Sequence, residues 1–118
     1  MTKKAYEEIM KLLEKTCGFD NLIIIYDKII NYYGSTDIDE TGKFINAKLK
    51  LNQKNDLKEF NEYEMTIMYD GGYLYSVMSC EFGYQSKDKF IDKLDFILRK
   101  YNLCYEEYDN VSLVVCKN

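Results

Sequence analysis

Two segments of the chain carry apolar residues at the spacing of an amphipathic helix. Over residues 3–17, apolar side chains recur three and four positions apart, while Lys and Glu occupy the opposite side. Residues 87–101 show the same period, and Ser86 is placed to cap this helix. Gly18 and Asn102 follow the two segments, and both residue types favour the left-handed conformation that ends a helix. The pattern predicts a helix in each segment.

The segment between Asp20 and Gly34 fits two structures. A helix over 21–33, capped by Asp20 and ended by Gly34, places its large apolar residues on one stripe. The run Ile23–Ile25 is β-branched, however, and equally suits the start of a strand. We predict the helix and keep the strand as the alternative.

From residue 45 the period of the apolar positions changes from helical to two. Residues 45–51 alternate apolar and polar side chains, which predicts a half-buried strand. A second strand is predicted at 62–69, with Thr66 on its outward side. Its inward residues are Tyr63, Met65, Ile67 and Tyr69.

Two turn signals predict hairpins. Asp70-Gly71-Gly72 suits a type I′ turn, which requires positive φ, and leads into a predicted third strand over 73–82. On this strand Cys80 and Phe82 are expected to face the core. Near the C-terminus, residues 103–108 and 111–115 flank a turn at Asp109-Asn110 and form a last pair of strands.

These elements predict an α+β fold in one domain of residues 1–118. The order is α-α-β-β-β-α-β-β, with an antiparallel sheet of about five strands and helices packed on it. The helix at 87–101 is expected to pack on the sheet through Phe90, Leu94, Ile97 and Leu98. The β-β-β-α-β-β order over 43–116 resembles that of type III secretion chaperones, which are also small and acidic. That resemblance implies a protein-binding role.

Composition narrows the chemistry. The 118 residues include no His, Pro or Trp, so imidazole catalysis and His-based metal sites are excluded. The chain has 16 basic and 20 acidic residues, a net charge of −4, and its Lys, Ile, Asn and Tyr bias suggests an AT-rich genome, as in a low-GC bacterium or phage.

The cysteines and the N-terminus indicate the setting. Cys17, Cys80, Cys104 and Cys116 contain no Cys-x-x-Cys pair, so we expect no metal, and because the sequence holds no catalytic or cofactor-binding motif we expect no cofactor and no enzymatic activity. Cys17 and Cys80 lie on apolar faces and should be core residues. Cys104 and Cys116 flank the last hairpin, and the alternation of side chains along its strands does not decide whether they face each other. The N-terminus lacks the apolar region of a signal peptide, and we expect a cytoplasmic protein with reduced thiols.

Acidic residues dominate the predicted central hairpin. Residues 59–81 carry five acids and no base, which argues against direct contact with nucleic acid. If the first two strands are neighbours, Lys48 and Lys50 face Glu62 and Glu64 as cross-strand pairs. Tyr is a favoured interface residue, and we predict an open sheet face that binds a partner, unless helices cover that face and make its tyrosines core. The predicted partner-binding residues are Asp70, Tyr73, Tyr75, Met68, Glu64, Glu106, Glu107 and Asp109.

The leading functional hypothesis is a small acidic binding protein that inhibits a partner protein. Such chains serve as phage anti-defence inhibitors, in the manner of anti-CRISPR proteins, or as toxin-immunity proteins. The expected partner is a protein with a basic surface, such as a nucleic-acid-binding channel, toward which carboxylates steer association. We expect no membrane association; a homodimer is compatible with the sequence. The alternatives are a secretion-chaperone-like binder and a small-ligand-binding domain or enzyme.

Overall fold

A computed structural model describes residues 1–45 and 49–118, with the side chains of residues 49 and 50 left out of the description. The helices are α1 (Lys3–Cys17), α2 (Tyr73–Met78) and α3 (Tyr84–Lys100), and a 3₁₀ turn spans Lys58–Phe60. The strands are β1 (Ile23–Tyr26), β2 (Ile29–Tyr33), β3 (Asp37–Ile38), β4 (Phe44–Ile45), β5 (Leu49–Lys54), β6 (Met65–Met68), β7 (Leu103–Asp109) and β8 (Ser112–Lys117).

Six strands form one antiparallel sheet in the order β5-β2-β1-β6-β8-β7, and β3 pairs with β4 separately. The predicted α+β class, an antiparallel sheet with helices packed on it, is confirmed. The large sheet has six strands instead of about five.

The main core lies between the helices and one face of the sheet, which we call the front face. The front face is contributed by Ile24, Met65, Ile67, Leu113 and Val115. From α1, Ile9 and Leu13 are fully buried against it, and from α3, Phe90, Leu94 and Leu98 are buried too. The predicted packing face of α3 is therefore confirmed, although Ile97 is only half-buried.

The predicted helix ends are partly confirmed. Thr2 caps α1 by accepting a hydrogen bond from the Ala5 amide at 3.1 Å, and Gly18 ends the helix in the left-handed conformation at φ 58°. The start of α3 was predicted wrongly: Gly83 precedes the helix at Tyr84, and Ser86 lies in the first turn. The Ser86 hydroxyl donates to the Phe82 carbonyl and caps nothing.

The helix predicted at 21–33 is wrong, and the strand alternative is correct. Strands β1 and β2 form a hairpin through Asp27 and Lys28, whose φ values of 51° and 63° are those of a type I′ turn. Neither turn residue is a glycine, so the usual sequence signal is absent. The Asp20 carboxylate accepts hydrogen bonds from the amides of Thr36 and Tyr73, at 2.8 and 3.0 Å, instead of capping a helix.

The strand predicted at 73–82 is also wrong, because this segment contains helix α2. Leu74, Val77 and Met78 are buried at the spacing of one helical turn. Cys80 then adopts a left-handed conformation, φ 64°, and is half-buried, while Phe82 is 48% exposed instead of facing the core. Two helices, α2 and α3, therefore follow each other where a strand and a helix were expected. The β-β-β-α-β-β order on which the resemblance to secretion chaperones rests is not found.

The condition for the cross-strand pairs of Lys48 and Lys50 with Glu62 and Glu64, that the first two predicted strands are neighbours, is not met. Strand β5 pairs with β2, and β2 and β1 separate it from β6. Lys50 on β5 therefore cannot stand directly opposite Glu64, and Lys48 lies outside the described residues. Ile45 and Leu51, expected to be inward, are 38% and 53% exposed.

Strand β6 is buried on both sides. Met65 and Ile67 lie on the front face and Tyr69 follows them into the core, as predicted. Thr66, expected to be exposed, is fully buried, and its hydroxyl oxygen has no hydrogen-bond partner among the described residues. A central strand whose two faces are both packed against other parts of the protein has no solvent-exposed face, so the alternation of inward and outward side chains on which the prediction relied does not apply to it.

The cover on the second face comes from the segment 55–64, which we call the crossing segment. It connects β5 at one edge of the sheet to β6 near its middle, and its Phe60 packs on Ile25 and Ile30. We call this side of the sheet the back face. By strand alternation it holds Ile23, Ile25, Ile30, Tyr32, Thr66, Met68, Glu106 and Val114.

Candidate functional site

The eight residues predicted to bind a partner do not form one surface. Tyr73 and Tyr75 lie on α2, on the helix side of the sheet, whereas Met68 and Glu106 belong to the back face. The common sheet face expected for Tyr73, Tyr75 and Met68 is therefore wrong. Its basis was a strand pairing that the chain does not make.

The two tyrosines of α2 have different surroundings. The Tyr73 ring packs edge-on against Phe44, with centroids 5.0 Å apart, and lies 4.9 Å from the Phe82 ring. Tyr75 lines a depression of about 460 Å³ together with Glu107 and Asp109. Of the predicted residues, the structure thus brings these three together.

The carboxylates of the terminal hairpin also separate. Glu106 pairs in register with Val114 on the back face, and Glu107 pairs with Leu113, so the two side chains point to opposite sides. Glu107 lies 3.4 Å from the Lys87 ammonium. Asp109 accepts hydrogen bonds from the Ser112 hydroxyl and the Val111 amide, which lower the pKa of its carboxyl, so this residue mainly holds the turn.

A different set of tyrosines surrounds the back face. Tyr108 packs edge-on against Phe60 and Tyr63, at 5.4 and 6.1 Å between centroids. Its hydroxyl donates to the Glu59 carboxylate at 3.3 Å, and the charge of Glu59 raises the pKa of Tyr108. Tyr32 lies farther along the same face, beside Ile23, to which it is paired. Tyr63, Tyr32 and Met68 are half-buried, and Tyr108 is 42% exposed.

Carboxylates accompany these rings. We call the combined exposed part of the back face and the crossing segment the acidic back surface. Its aromatic and apolar members are Tyr32, Tyr63, Met68 and Tyr108, and its acids are Asp56, Glu59, Glu62, Glu64 and Glu106. Among its described side chains the only base is Lys58, and Lys28 borders the surface in a depression that it shares with Tyr63 and Glu64. The N-terminal amino group of Met1 contacts Glu64, and the other four acids of this surface have no ion-pair partner among the side chains that the structure describes.

Asp70 lies at the border of this surface. It lines a depression of about 400 Å³ with Ile23 and Tyr32 of the back face and with Tyr33. Four of the eight predicted residues, Glu64, Met68, Asp70 and Glu106, therefore lie on or beside the acidic back surface. Sequence reasoning missed Tyr32, Tyr63 and Tyr108, because the helix predicted at 21–33 hid the first and no pattern indicated the path of the crossing segment.

Cys104 and Cys116 face each other across β7 and β8. They are direct partners in the antiparallel register and both are half-buried. The Cα atoms of opposed residues stand about 4.5–5.5 Å apart, a separation that a disulfide can span. Burial, and then the nearby Glu106 carboxylate, raise the pKa of the Cys116 thiol, so little thiolate forms at neutral pH.

We expect glutathione disulfide at mildly alkaline pH to join this pair. Both protein thiols lose their protons and an intramolecular S–S bond forms, while the S–S bond of glutathione disulfide breaks to give two molecules of glutathione, which take up the two protons. The thiols counted after denaturation should fall from four to two, while buried Cys17, whose pKa burial raises to about 12, stays reduced. In Cys104→Ser this disulfide should not form, and retention of all four thiols in the natural chain would contradict the prediction.

Known proteins add no further constraint. Across the described residues no group of three or more Cys, Asp or Glu side chains could hold a metal ion, and no described helix is long and apolar enough to cross a membrane. No protein-family model matches the chain, and no curated protein or solved structure matches it.

Proposed function

We propose that the chain is a non-enzymatic binding protein that inhibits a partner protein by covering a basic surface with its acidic back surface. One observation carries the proposal: three tyrosines and five carboxylates share the one side of the sheet that none of the α-helices covers. The helices α1, α2 and α3 all contribute to the core on the front face.

The aromatic residues suit a protein interface. Tyr32, Tyr63 and Tyr108 present large, rigid rings with a polar tip, which bury area at a low cost in side-chain entropy. The rings are already held by packing, because Phe60 and Tyr63 support Tyr108 and Ile23 lies beside Tyr32. Such preorganised residues lose little freedom when a partner binds.

The charges select the class of partner. Asp56, Glu59, Glu62 and Glu106 are exposed and have no amine partner among the described residues. A cluster of this sign attracts a cationic protein surface, accelerates its association and disfavours nucleic acid. A basic channel that normally holds nucleic acid fits this description, in keeping with anti-defence or immunity inhibitors.

Two adjacent residues offer a matched test. Glu106→Lys and Glu107→Lys change the net charge equally, but the first lies on the back face and the second beside Lys87 on the other side. With a partner captured from the source cells, Glu106→Lys should slow association about threefold to tenfold and flatten its salt dependence, whereas Glu107→Lys should change both much less. Tyr108→Ala should instead accelerate dissociation, since aromatic contacts hold a formed complex.

The readouts are association and dissociation rates at several salt concentrations, with circular dichroism to show that each variant folds. The captured protein must also lose its own activity when the natural chain is added. Equal effects of the two charge reversals, or an unchanged salt dependence in Glu106→Lys, would contradict the proposal. A larger effect of Glu107→Lys would move the interface to the depression that contains Tyr75.

A further inference from the structure

On the opposite side of the molecule, a small cleft lies where the three helices meet. It has a volume of about 200 Å³, and the buried side chains Leu12, Val77 and Phe90 line it. Tyr73 and Phe82 add a pair of aromatic rings. The cleft therefore combines an apolar floor with an aromatic wall.

Three lysines surround this apolar floor. Lys15 comes from the end of α1, and Lys89 and Lys93 from successive turns of α3. All three are exposed, and none forms an ion pair with any side chain that the structure describes. No carboxylate is among the described residues that line the cleft, although acids outnumber bases in the chain.

A neighbouring groove shows that an excess of lysines over acidic residues is particular to the cleft and is not found across the whole helix surface. The groove, about 640 Å³ between α1 and α3, shares Leu12, Lys15 and Lys93 with the cleft. There the lysines alternate with acids, namely Glu8, Glu14 and Asp92. In the cleft, by contrast, Lys89 and Lys93 stand at i and i+4, an arrangement that disfavours the free helix through repulsion, and Asp92 between them in the chain lines the groove and not the cleft.

Two hydroxyls and an exposed ring complete the cleft. Thr16 and Ser86 line it beside the lysines; the Ser86 hydroxyl donates to the Phe82 carbonyl, so the hydroxyl proton that a phosphate can use is that of Thr16. Phe82 is 48% exposed and lies 4.9 Å from the Tyr73 ring, so about half of the Phe82 side chain stays accessible to the ring of a ligand. Ammonium and hydroxyl groups together suit a phosphate, and an accessible aromatic side chain suits a ring.

We propose that this cleft binds a small organic phosphate that carries a planar ring. The ring lies against Phe82 on the apolar floor, and Lys15, Lys89 and Lys93 hold the phosphate. The volume is smaller than that of sites for drug-sized ligands, about 300–1,000 Å³, so the bound group is a mononucleotide or the side chain of a phosphotyrosine. The site is separate from the acidic back surface and does not depend on the function proposed for it.

Binding can be tested with four probes on the whole chain. AMP and O-phosphotyrosine carry both a ring and a phosphate, inorganic phosphate carries only the anion, and adenosine carries only the ring system. We expect at least one of the first two to bind at least tenfold more tightly than inorganic phosphate or adenosine. In a protein-observed NMR titration, the shifted amides should include those of Leu12, Tyr73 and Phe90.

Variants show whether the lysines are responsible. Lys89→Ala/Lys93→Ala should weaken binding of the tighter probe at least tenfold, while the exposed pair Lys3→Ala/Lys4→Ala, with the same loss of charge, should leave it unchanged. The relative affinity for AMP and O-phosphotyrosine identifies the source of the phosphate. The proposal is overturned if neither probe exceeds inorganic phosphate, if the shifts map elsewhere, or if the folded Lys89→Ala/Lys93→Ala variant binds like the natural chain.

Discussion

Leu94→Ala is expected to lower the free energy of unfolding by about 2–5 kcal/mol. Leu94 is fully buried in the middle of α3 and belongs to the cluster that joins the helices to the front face. The truncation removes apolar contacts and leaves a cavity that neither the sheet nor the helix can close completely. Chemical denaturation followed by circular dichroism measures the loss.

Phe96→Ala is the matched control on the same helix. Phe96 is 68% exposed, so losing its larger side chain should change the free energy of unfolding by no more than about 0.5 kcal/mol. A loss below about 0.5 kcal/mol for Leu94→Ala would mean that α3 does not bury this face.

Gly72→Ala is expected to cost about 1–3 kcal/mol, although a single methyl group is added. A Cβ at Gly72 would lie nearer than 3.0 Å to the backbone carbonyl oxygen of Asp20, too close for real Cβ atoms. The Asp20 carboxylate also accepts a hydrogen bond from the Tyr73 amide, so the two backbone segments cannot separate without loss of that bond. Denaturation again measures the effect.

Asp70→Ala serves as the control for this loop. Asp70 is exposed, and its change should stay within about 0.5 kcal/mol. If Gly72→Ala were equally mild, the close approach of Gly72 to Asp20 would be disproved. The outcome also bears on the cleft, because the same contact sets the start of α2 and hence the position of Tyr73.

The two proposed binding surfaces lie on opposite sides of the sheet and differ in charge. Acidic residues gather on the back, and three lysines without ion-pair partners among the described residues surround the cleft between the helices. The net charge of −4 reveals neither surface, because it sums over both. Partner binding should therefore respond to Glu106→Lys and not to the lysine variants, while ligand binding should show the reverse.

The sequence by itself determined the elements whose periodicity is long and unambiguous. Helices α1 and α3 repeat the helical spacing over several turns, and the sequence also predicted Gly18 as the end of α1. The terminal hairpin was predictable from a β-branched run beside an Asp-Asn turn, and β6 from the alternation of Met65, Ile67 and Tyr69. In each case local preference and burial favour the same structure, so no distant contact is needed to decide it.

Only the tertiary structure decided the segments in which two periods fit equally well. Leu74 and Met78 are four residues apart, which places them on one side of a helix and also on one side of a strand. Asp20, more than fifty positions away in the chain, favours the helix, because its carboxylate accepts a hydrogen bond from the Tyr73 amide at the start of α2. The isoleucines of β1 become a strand because β2 and β6 pair with them on either side.

The composition of the acidic back surface was decided in the same way. Tyr63 and Tyr108 are 45 positions apart in the chain, and their rings meet only because the crossing segment runs over the back face. The sequence analysis predicted a sheet face with Tyr73 and Tyr75, whereas the tyrosines that share a face with the carboxylates are others, because that choice depends on strand order. Strand order depends on pairing between segments distant in the chain, and hydrophobic periodicity, which is local, does not encode it.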